Sequence, residues 1–275
     1  MTSKLINDEI AHALKEVEAV VKAAGNVADY QYFSFHKERY FRMARSMVSL
    51  IPKGAAILNI GSHYLHTSLL FKFLGYEVHS MDVEVFWDLN FVNERAKTFE
   101  LIKIVDNDLE NFSSHDGIND KYKAIMFAEI LEHITFNPVS FWKKIYAITQ
   151  PGGVIYISTP NSLNLYNVVR TVARIITFRG VGIPIKSIFS NVTYGHHWKE
   201  YSASEIRKYF SLLSDDFKVS TSFYHYRVAD YNGVFLAMFS IISAIGNITY
   251  FLSDEIEAIV TVNKTSNWKI ESPEY

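Results

Sequence analysis

Short apolar segments alternate with amphipathic segments through the middle of the chain. The apolar runs have the length of β-strands, and the segments between them place apolar side chains at helical spacing. This alternation is typical of βαβ units and predicts a mainly parallel sheet. With two later runs the pattern predicts seven strands, at 55–60, 77–81, 99–105, 122–128, 154–158, 217–226 and 256–262.

The same pattern predicts helices around these strands. Residues 3–24 and 36–50 each read as an amphipathic helix, with charges between the apolar positions. Gly75 and the Pro151-Gly152-Gly153 turn are typical signals for the end of a helix. Further helices are predicted at 64–74, 137–149, 163–178 and 204–213, whereas 185–194 is predicted to be irregular.

We expect a single domain over residues 1–275, because no repeat or linker divides the chain. Residues 1–50 would form a helical cap, and the change of rhythm at 162–202 predicts a helical lid, or acceptor insertion, after strand five. We interpret the His36, Arg39 and Tyr40 group in the cap as part of a surface helix, with closure over a cofactor as the alternative.

A glycine and an acid at the ends of two strands indicate a ligand site. Gly61 follows the first strand and opens the next helix, where free backbone N–H groups and the missing Cβ let a ligand approach. Asp82 ends the second strand, and an acid there suits the two hydroxyls of a ribose. No G-x-G-x-x-G or P-loop pattern is present, which disfavours NAD and other pyrophosphate cofactors.

Five motifs occur in an order that resembles the class I S-adenosylmethionine (SAM)-dependent methyltransferases. The resemblance spans about residues 39–264. Its motifs are ILNIGSHYLHTSLLFKFLGYEVHSMDV at 57–83, DLE at 108–110, FAEILEH at 127–133, PGGVIYISTPN at 151–161 and GHHWKEYSASEI at 195–206.

This resemblance implies an α/β Rossmann-like methyltransferase fold, with helices on both faces of a mainly parallel seven-stranded sheet. It also implies SAM as the cofactor. The cofactor-binding residues that it implies are Asn59, Gly61, Ser62, His63, Asp82, Asp108, Leu109 and Glu129.

The first motif departs from the family pattern at three positions. Asn59 replaces a common acid, and His63 and Leu65 replace glycines. These changes alter the expected methionine pocket. They leave open an alternative function, a non-catalytic methyltransferase-fold protein that binds a ligand or regulates a partner.

Acids and histidines after strand four supply candidate chemistry. Glu129, Glu132 and His133 stand at i, i+3 and i+4 and would share a face if a helix began there. The pair His196-His197 returns near the end of the predicted lid. A hydroxyl acceptor needs a base, and carboxylates with imidazoles can bind Mg²⁺ or Mn²⁺.

This set resembles that of Hen-type small-RNA 2′-O-methyltransferases and, over E-x-x-E-H alone, ubiquinone-pathway O-methyltransferases. The resemblance implies a catalytic set and a metal set. The catalytic residues would be Glu132, His133, His196 and His197, and the metal ligands Glu129, Glu132, His133 and His197. The alternative is the same motif without metal, with Glu129 beside the cofactor and His133 as a positioning residue or base.

The composition of the chain narrows the class of acceptor substrate. Twenty-seven lysines and arginines against 29 aspartates and glutamates give a net charge of −2, which disfavours RNA, so the Hen-type activity is an alternative only. No cysteine is present. We expect O-methylation of a small molecule or saccharide, with an acceptor wall that includes Tyr166, Arg170, Arg174, Lys186, Tyr194 and Trp198.

One uncharged segment bears on location. Residues 234–252 are apolar but interrupted by serine, glycine, asparagine and threonine. We expect a buried helix, or a helix plus a turn, there and no transmembrane segment, with peripheral membrane contact left open. The start of the chain has no apolar signal-peptide region, so we expect a cytoplasmic protein. The pattern does not predict an oligomeric state.

Overall fold

A computed structural model describes residues 3–178, 180–183, 185–190, 195–224, 241, 244–246, 248–266 and 268–273. Within these residues a seven-stranded sheet has the strand order β3-β2-β1-β4-β5-β7-β6. The strands are β1 Ala56–Ile60, β2 Glu77–Asp82, β3 Ile102–Val105, β4 Tyr122–Ala128, β5 Thr149–Pro160, β6 Phe217–Tyr224 and β7 Glu255–Val262.

Strands β1 to β5 pair in parallel, and β7 runs antiparallel to both β5 and β6. The predicted mainly parallel sheet is therefore confirmed. The largest boundary differences are in β5, which begins five residues before the predicted Val154, and in β3, which begins three residues after the predicted Phe99.

The helices partly differ from the prediction. The second helix begins at Val27 instead of residue 36, and a short helix occupies 185–190, which was predicted to be irregular. Two helices between β2 and β3 were not predicted. The helices are α1 Ser3–Ala23, α2 Val27–Val48, α3 His66–Phe73, α4 Glu84–Trp87, α5 Asn90–Thr98, α6 Val139–Ile148, α7 Leu165–Ile176, α8 Ile185–Ser190 and α9 Ala203–Leu213.

Both faces of the sheet are buried. Alternate side chains of β4 point to opposite faces, so Ala124 and Met126 pack with α1, α2 and α3, whereas Ile125 and Phe127 pack with α6 and α9. Continuous apolar strands follow from this double burial. The predicted helices on both faces are confirmed.

A buried polar network fixes α2 against the loop that follows β1. Asp29 on α2 accepts hydrogen bonds from His66 Nε2 at 2.7 Å and from Arg95 at 2.6 Å. Burial alone would raise the pKa of Asp29, but these two partners outweigh it and lower the pKa. Arg95 also donates to the carbonyl oxygen of Tyr64 at 2.5 Å, so the network sets the shape of the loop.

The segment predicted to form a lid is anchored at one residue directly after β5. Asn161 donates from its side chain to the carbonyl oxygens of Phe251 and Ser253, and its own carbonyl accepts from Asn164, the N-cap of α7. Beyond this anchor, none of the side chains of α7 is buried. Most of the 234–252 segment lies outside the described residues; among those that are described, no helix has the length and apolarity of a membrane span.

Candidate functional site

A cavity of about 660 Å³ lies at the carboxyl ends of β1, β2 and β4, beneath α2. Its volume is within the usual range for small-molecule sites. Seven of the eight predicted cofactor residues line it: Asn59, Gly61, Ser62, His63, Asp82, Leu109 and Glu129. The eighth, Asp108, is directed elsewhere.

The turn after β1 needs glycine for two reasons. Gly61 has φ = 68°, in the left-handed region, and a Cβ built there would lie 2.7 Å from Ile130 Cδ1. The following N–H of Ser62 donates to the carbonyl oxygen of Met81 at 3.0 Å. The turn is therefore held close to the end of β2.

Asp82 both shapes this turn and faces the cavity. Its Oδ2 accepts from the N–H of His63 at 2.5 Å and its Oδ1 from the N–H of Val83 at 2.8 Å. Burial nevertheless raises its pKa to about 6. A carboxylate in this position can accept hydrogen bonds from vicinal hydroxyls, as the sequence pattern predicted.

An aromatic cluster replaces the open glycine loop of the family pattern. The ring of His63 lies within 4.4 Å, centroid to centroid, of Tyr32, Tyr64 and Phe86. Burial lowers the pKa of His63 to about 4, so its imidazole is neutral at pH 7, and its Nδ1 is buried without a hydrogen-bond partner. His63 thus supplies a neutral polar atom where glycine supplies none.

The side chain of Asn59 is hydrogen-bonded within the protein. Its amide donates to Ser68 Oγ at 2.9 Å, and Ser80 donates to the same oxygen at 2.8 Å. This short buried chain links β1, α3 and β2. A neutral amide in place of the family's acid leaves the cavity without a carboxylate at the end of β1.

The loop after β3 presents the predicted Leu109 to the cavity, but Asp106 and Asn107 in place of Asp108. Asp106 and Asn107 line the cavity with Leu109. Asp108 instead accepts from the backbone and side chain of Asn111, which lowers its pKa. Asp106 lies nearer the end of the strand, where carboxyl-end ligands bind, and this proximity was the available sequence signal.

Glu129 adopts an unusual backbone conformation directly after β4. Its φ is 56°, and Ser158 donates to its Oε1 at 2.6 Å. Its Oε2 lies 3.4 Å from Arg39, which is buried and lines the cavity with Tyr32. The interpretation of Arg39 as part of a surface helix was therefore wrong, because α2 begins earlier and crosses the cavity.

Glu132 is a fully buried carboxyl. Thr159 donates to its Oε2 at 2.9 Å, and its Oε1 has no hydrogen-bond partner. Burial, and secondarily the charge of Glu129, raises its pKa to about 8. A buried oxygen without a partner is rare and costly, so Glu132 Oε1 is a candidate ligand atom.

His133 lies beside Glu132 at the cavity wall. Its Nδ1 hydrogen-bonds the carbonyl oxygen of His196 at 3.0 Å. Its Nε2 is 3.9 Å from Glu132 Oε1, beyond hydrogen-bond distance. Burial lowers the pKa of His133, so the ring is neutral and Nε2 carries the lone pair.

The segment is not the helix that would have placed three side chains on one face. Residues Leu131–His133 form a single 3₁₀ turn, and the left-handed Glu129 directs its side chain toward Arg39 and Ser158. His197 joins the other two residues from the far side of the lid. Its ring centroid is 4.9 Å from that of His133.

Three residues form a group that could hold a metal ion. Ligand atoms of Glu132, His133 and His197 lie within 4.8 Å of one another. Ligands of one ion are at most about 4.4 Å apart, so a small contraction suffices. The unpartnered Glu132 Oε1 and the free Nε2 of His133 fit such a role. Glu129 is outside this group, because Arg39 and Ser158 hold its oxygens.

Further hydrogen bonds orient the imidazole rings of His133 and His197. Glu200 lies 3.2 Å from Nδ1 of His197, and this hydrogen bond raises the pKa of His197. His133 is oriented by a carbonyl oxygen. Metal-bound histidines usually have such outer partners. His196 contributes that carbonyl, while its ring packs edge to face against Trp198.

Solved structures with the same fold are methyltransferases. A SAM-dependent methyltransferase from Archaeoglobus fulgidus aligns with a TM-score of 0.50 and 14% identity, covering 86% of this chain and 100% of that one. One from Thermotoga maritima gives 0.50 and 14%, covering 90% and 100%. Haemonchus contortus phosphoethanolamine N-methyltransferase 2, in complex with phosphomonomethylethanolamine and S-adenosylhomocysteine, gives 0.50 and 12%, covering 82% and 52%.

At 12–14% sequence identity, the structural similarity shows only that the fold is shared. No protein-family profile matches the chain, and no curated protein matches its sequence. The chain therefore shares the class I methyltransferase fold, as the motifs predicted, and its chemistry has to be argued from its own residues.

Proposed function

We propose that this protein is a SAM-dependent O-methyltransferase that acts on a hydroxyl of a small molecule or saccharide. The observation that carries the proposal is that His133 lines the same cavity as Asp82 and Gly61. The residues that would bind a nucleoside and the neutral imidazole of His133 thus line the same cavity. Holding nucleophile and methyl group together supplies much of the rate of such a transfer.

The cavity residues divide by position into two ends. Asp82 would accept the ribose hydroxyls, and the backbone at Gly61 admits close approach of the cofactor. Glu129, fixed by Arg39, would face the methionine end. Leu109, Asp106 and Asn107 would enclose the base.

The proposed transfer needs one proton acceptor. SAM would supply the methyl group from its sulfonium, and attack by the acceptor oxygen on that carbon would release S-adenosylhomocysteine. The hydroxyl proton passes to Nε2 of His133, the nitrogen that its Nδ1 contact leaves unprotonated. General-base assistance of this kind contributes about 10²–10⁴-fold.

A divalent cation fits the same group of residues. Glu132, His133 and His197 would hold Mg²⁺ or Mn²⁺. When bound, the ion would make a hydroxyl more acidic and orient it. In the metal-bound protein, Glu132 would supply its unpartnered carboxyl oxygen. Glu200 would orient the ring of His197, and the carbonyl oxygen of His196 would orient the ring of His133.

A second candidate function rests on a specific observation. The rings around His63 and the hydrogen-bonded Asn59 reshape the family's glycine loop. This favours, as the alternative, a protein that binds a nucleoside ligand or regulates a partner without turnover. The two functions differ in whether methyl transfer follows binding.

Calorimetry with SAM and S-adenosylhomocysteine tests the proposal. We expect binding by the wild-type protein and a loss of about tenfold or more in Asp82→Asn, because a charged hydrogen bond contributes about 1.5–3 kcal/mol. Asp88→Asn, an exposed change just after α4, is the matched control. No binding at millimolar SAM would refute the proposal.

Transfer of a labelled methyl group to a panel of saccharides and phenols then separates the two functions. Product with the wild-type protein and none with His133→Ala supports the methyltransferase. SAM binding with no product on any acceptor favours the non-catalytic alternative.

A further inference from the structure

A second cavity, of about 590 Å³, lies between α7 and the segment 195–200. It is distinct from the cofactor cavity, but the two meet at a pair of histidines. His133 lines the first cavity, His197 lines the second, and their rings are in edge-to-face contact. A molecule in the second cavity would therefore have one end beside the proposed base.

Two arginines on one face of α7 line this second cavity. Arg170 and Arg174 are one helical turn apart, with Asn167 and Thr171 on the same face. Arg174 uses Nε to donate to the carbonyl oxygen of Gly180 at 2.7 Å. The guanidinium of Arg170 lies 5.5 Å from the ring centroid of Tyr166.

Among the described residues, neither arginine has an acidic partner. Within the ranges that the structure describes, no carboxylate lies within 4.0 Å of Arg170 or Arg174. The nearby acid Glu200 already holds His197 and Asn167. Lys199, at the same wall, is paired with Glu205. Two guanidinium groups thus remain available to an anion.

This local positive charge contrasts with the chain as a whole, whose net charge is −2. Arginine forks match phosphate oxygens in pairs, and a phosphate group carries enough charge for two of them. We propose that the second cavity binds a phosphate ester on the acceptor, through Arg170 and Arg174. This inference rests on the proposed function of the first cavity.

The phosphate has two chemical sources. The face of α7 opposite the arginines exposes Val169, Val172 and Ile176, and an amphipathic helix with cationic residues can lie at a lipid surface. The phosphate ester is therefore that of a soluble sugar phosphate or that of a lipid headgroup. Both would meet the same two arginines.

Binding assays in the absence of SAM test the inference. The soluble probe is glucose 1-phosphate with glucose as its neutral counterpart, followed by calorimetry. The lipid probe is phosphatidylcholine vesicles with and without phosphatidic acid, followed by co-sedimentation. The variants are Arg170→Gln/Arg174→Gln and the control Arg207→Gln, which changes an exposed arginine on α9.

We expect binding of one phosphate probe over its neutral counterpart, a loss of about tenfold or more in the double variant, and no change in the control. Glucose 1-phosphate binding indicates the soluble source, and vesicle binding the lipid source. Binding of neither probe, or equal binding by the double variant, overturns the inference. SAM affinity, measured separately on the same proteins, reports on the proposed function and should be unchanged in the double variant.

Discussion

The Nδ1 atom of His133 donates a hydrogen bond to the main-chain carbonyl oxygen of His196, 3.0 Å away. A carbonyl oxygen can only accept, so this contact places the proton of the neutral ring on Nδ1 and the lone pair on Nε2. It also joins the 3₁₀ turn after β4 to the segment 195–200. The ring of His133 and that segment are therefore positioned together.

The tautomer of His133 can be observed directly. Because the carbonyl accepts from Nδ1 and burial keeps the ring neutral, we expect the Nδ1–H form at pH 7. Two-bond ¹H–¹⁵N NMR correlations on ¹⁵N-labelled protein distinguish the two neutral forms. The exposed His12 provides the reference for a solvent-accessible ring. An Nε2–H form at His133 would contradict the proposed base.

Divalent-ion affinity should depend on the outer partner of His197. Replacing Glu200 by glutamine removes the charge that orients the ring, and such changes cost about 10–100-fold in metal affinity. Titration with Mn²⁺, followed by paramagnetic relaxation of water, measures this effect. Glu94→Gln, on the exposed side of α5, is the control. Equal Mn²⁺ affinity in all three proteins would remove His197 from the metal group.

Strand ends could be predicted from the sequence, but the direction of several side chains could not. Glu129 and Ser158 follow apolar runs, and the order of motifs assigned those runs to neighbouring strands. The left-handed backbone of Glu129, which turns its carboxylate toward Arg39, is set by tertiary contacts and leaves no periodic signal. The path of α2 across the cavity depends on the buried Asp29 network in the same way.

The raised pKa of Asp82 predicts a pH-dependent stability. Burial raises the pKa from 3.8 to about 6, so the folded protein holds this proton more tightly than the unfolded chain. The resulting stabilisation is complete below about pH 4 and is lost as the pH rises through 6, by about 3 kcal/mol. Urea unfolding of wild type and Asp82→Asn between pH 4 and 7 measures the difference, with Asp88→Asn as the control. Parallel pH profiles for wild type and Asp82→Asn would contradict it.

The Arg39–Glu129 ion pair should couple the cap to the end of β4. Arg39→Met leaves Glu129 without its cation and also removes a charge that counters the burial-raised pKa of Glu255. We expect a loss of about 3 kcal/mol in the free energy of unfolding. The double variant with Glu129→Gln should lose less than the sum of the two single changes.

Chemical denaturation of the four proteins in this cycle measures the coupling energy. Arg207→Met, at an exposed arginine, should change stability by no more than about 0.5 kcal/mol. Strict additivity of the Arg39 and Glu129 variants would show that the two residues do not interact.

Alanine substitutions at Gly61 and Gly54 separate the cost of left-handed backbone strain from the cost of a close contact. Both glycines have positive φ, at 68° and 78°, but a Cβ at Gly61 would lie 2.7 Å from Ile130 Cδ1, whereas one at Gly54 would meet nothing within 4 Å. Gly54→Ala should therefore cost about 1 kcal/mol of left-handed strain alone. Gly61→Ala should cost more, because Ile130 must shift, and should also weaken SAM binding since the turn faces the cavity.

Shortening the side chain of Ile130 isolates the part of the Gly61→Ala cost that comes from the close contact. In an Ile130→Val background, which removes Cδ1, the unfolding penalty of Gly61→Ala should fall toward that of Gly54→Ala, while the Gly54→Ala penalty should stay the same. Thermal or urea unfolding of these variants gives both penalties in each background. If Gly61→Ala and Gly54→Ala cost the same in the wild-type background, the turn after β1 is not held against Ile130, and Gly61 serves backbone conformation alone.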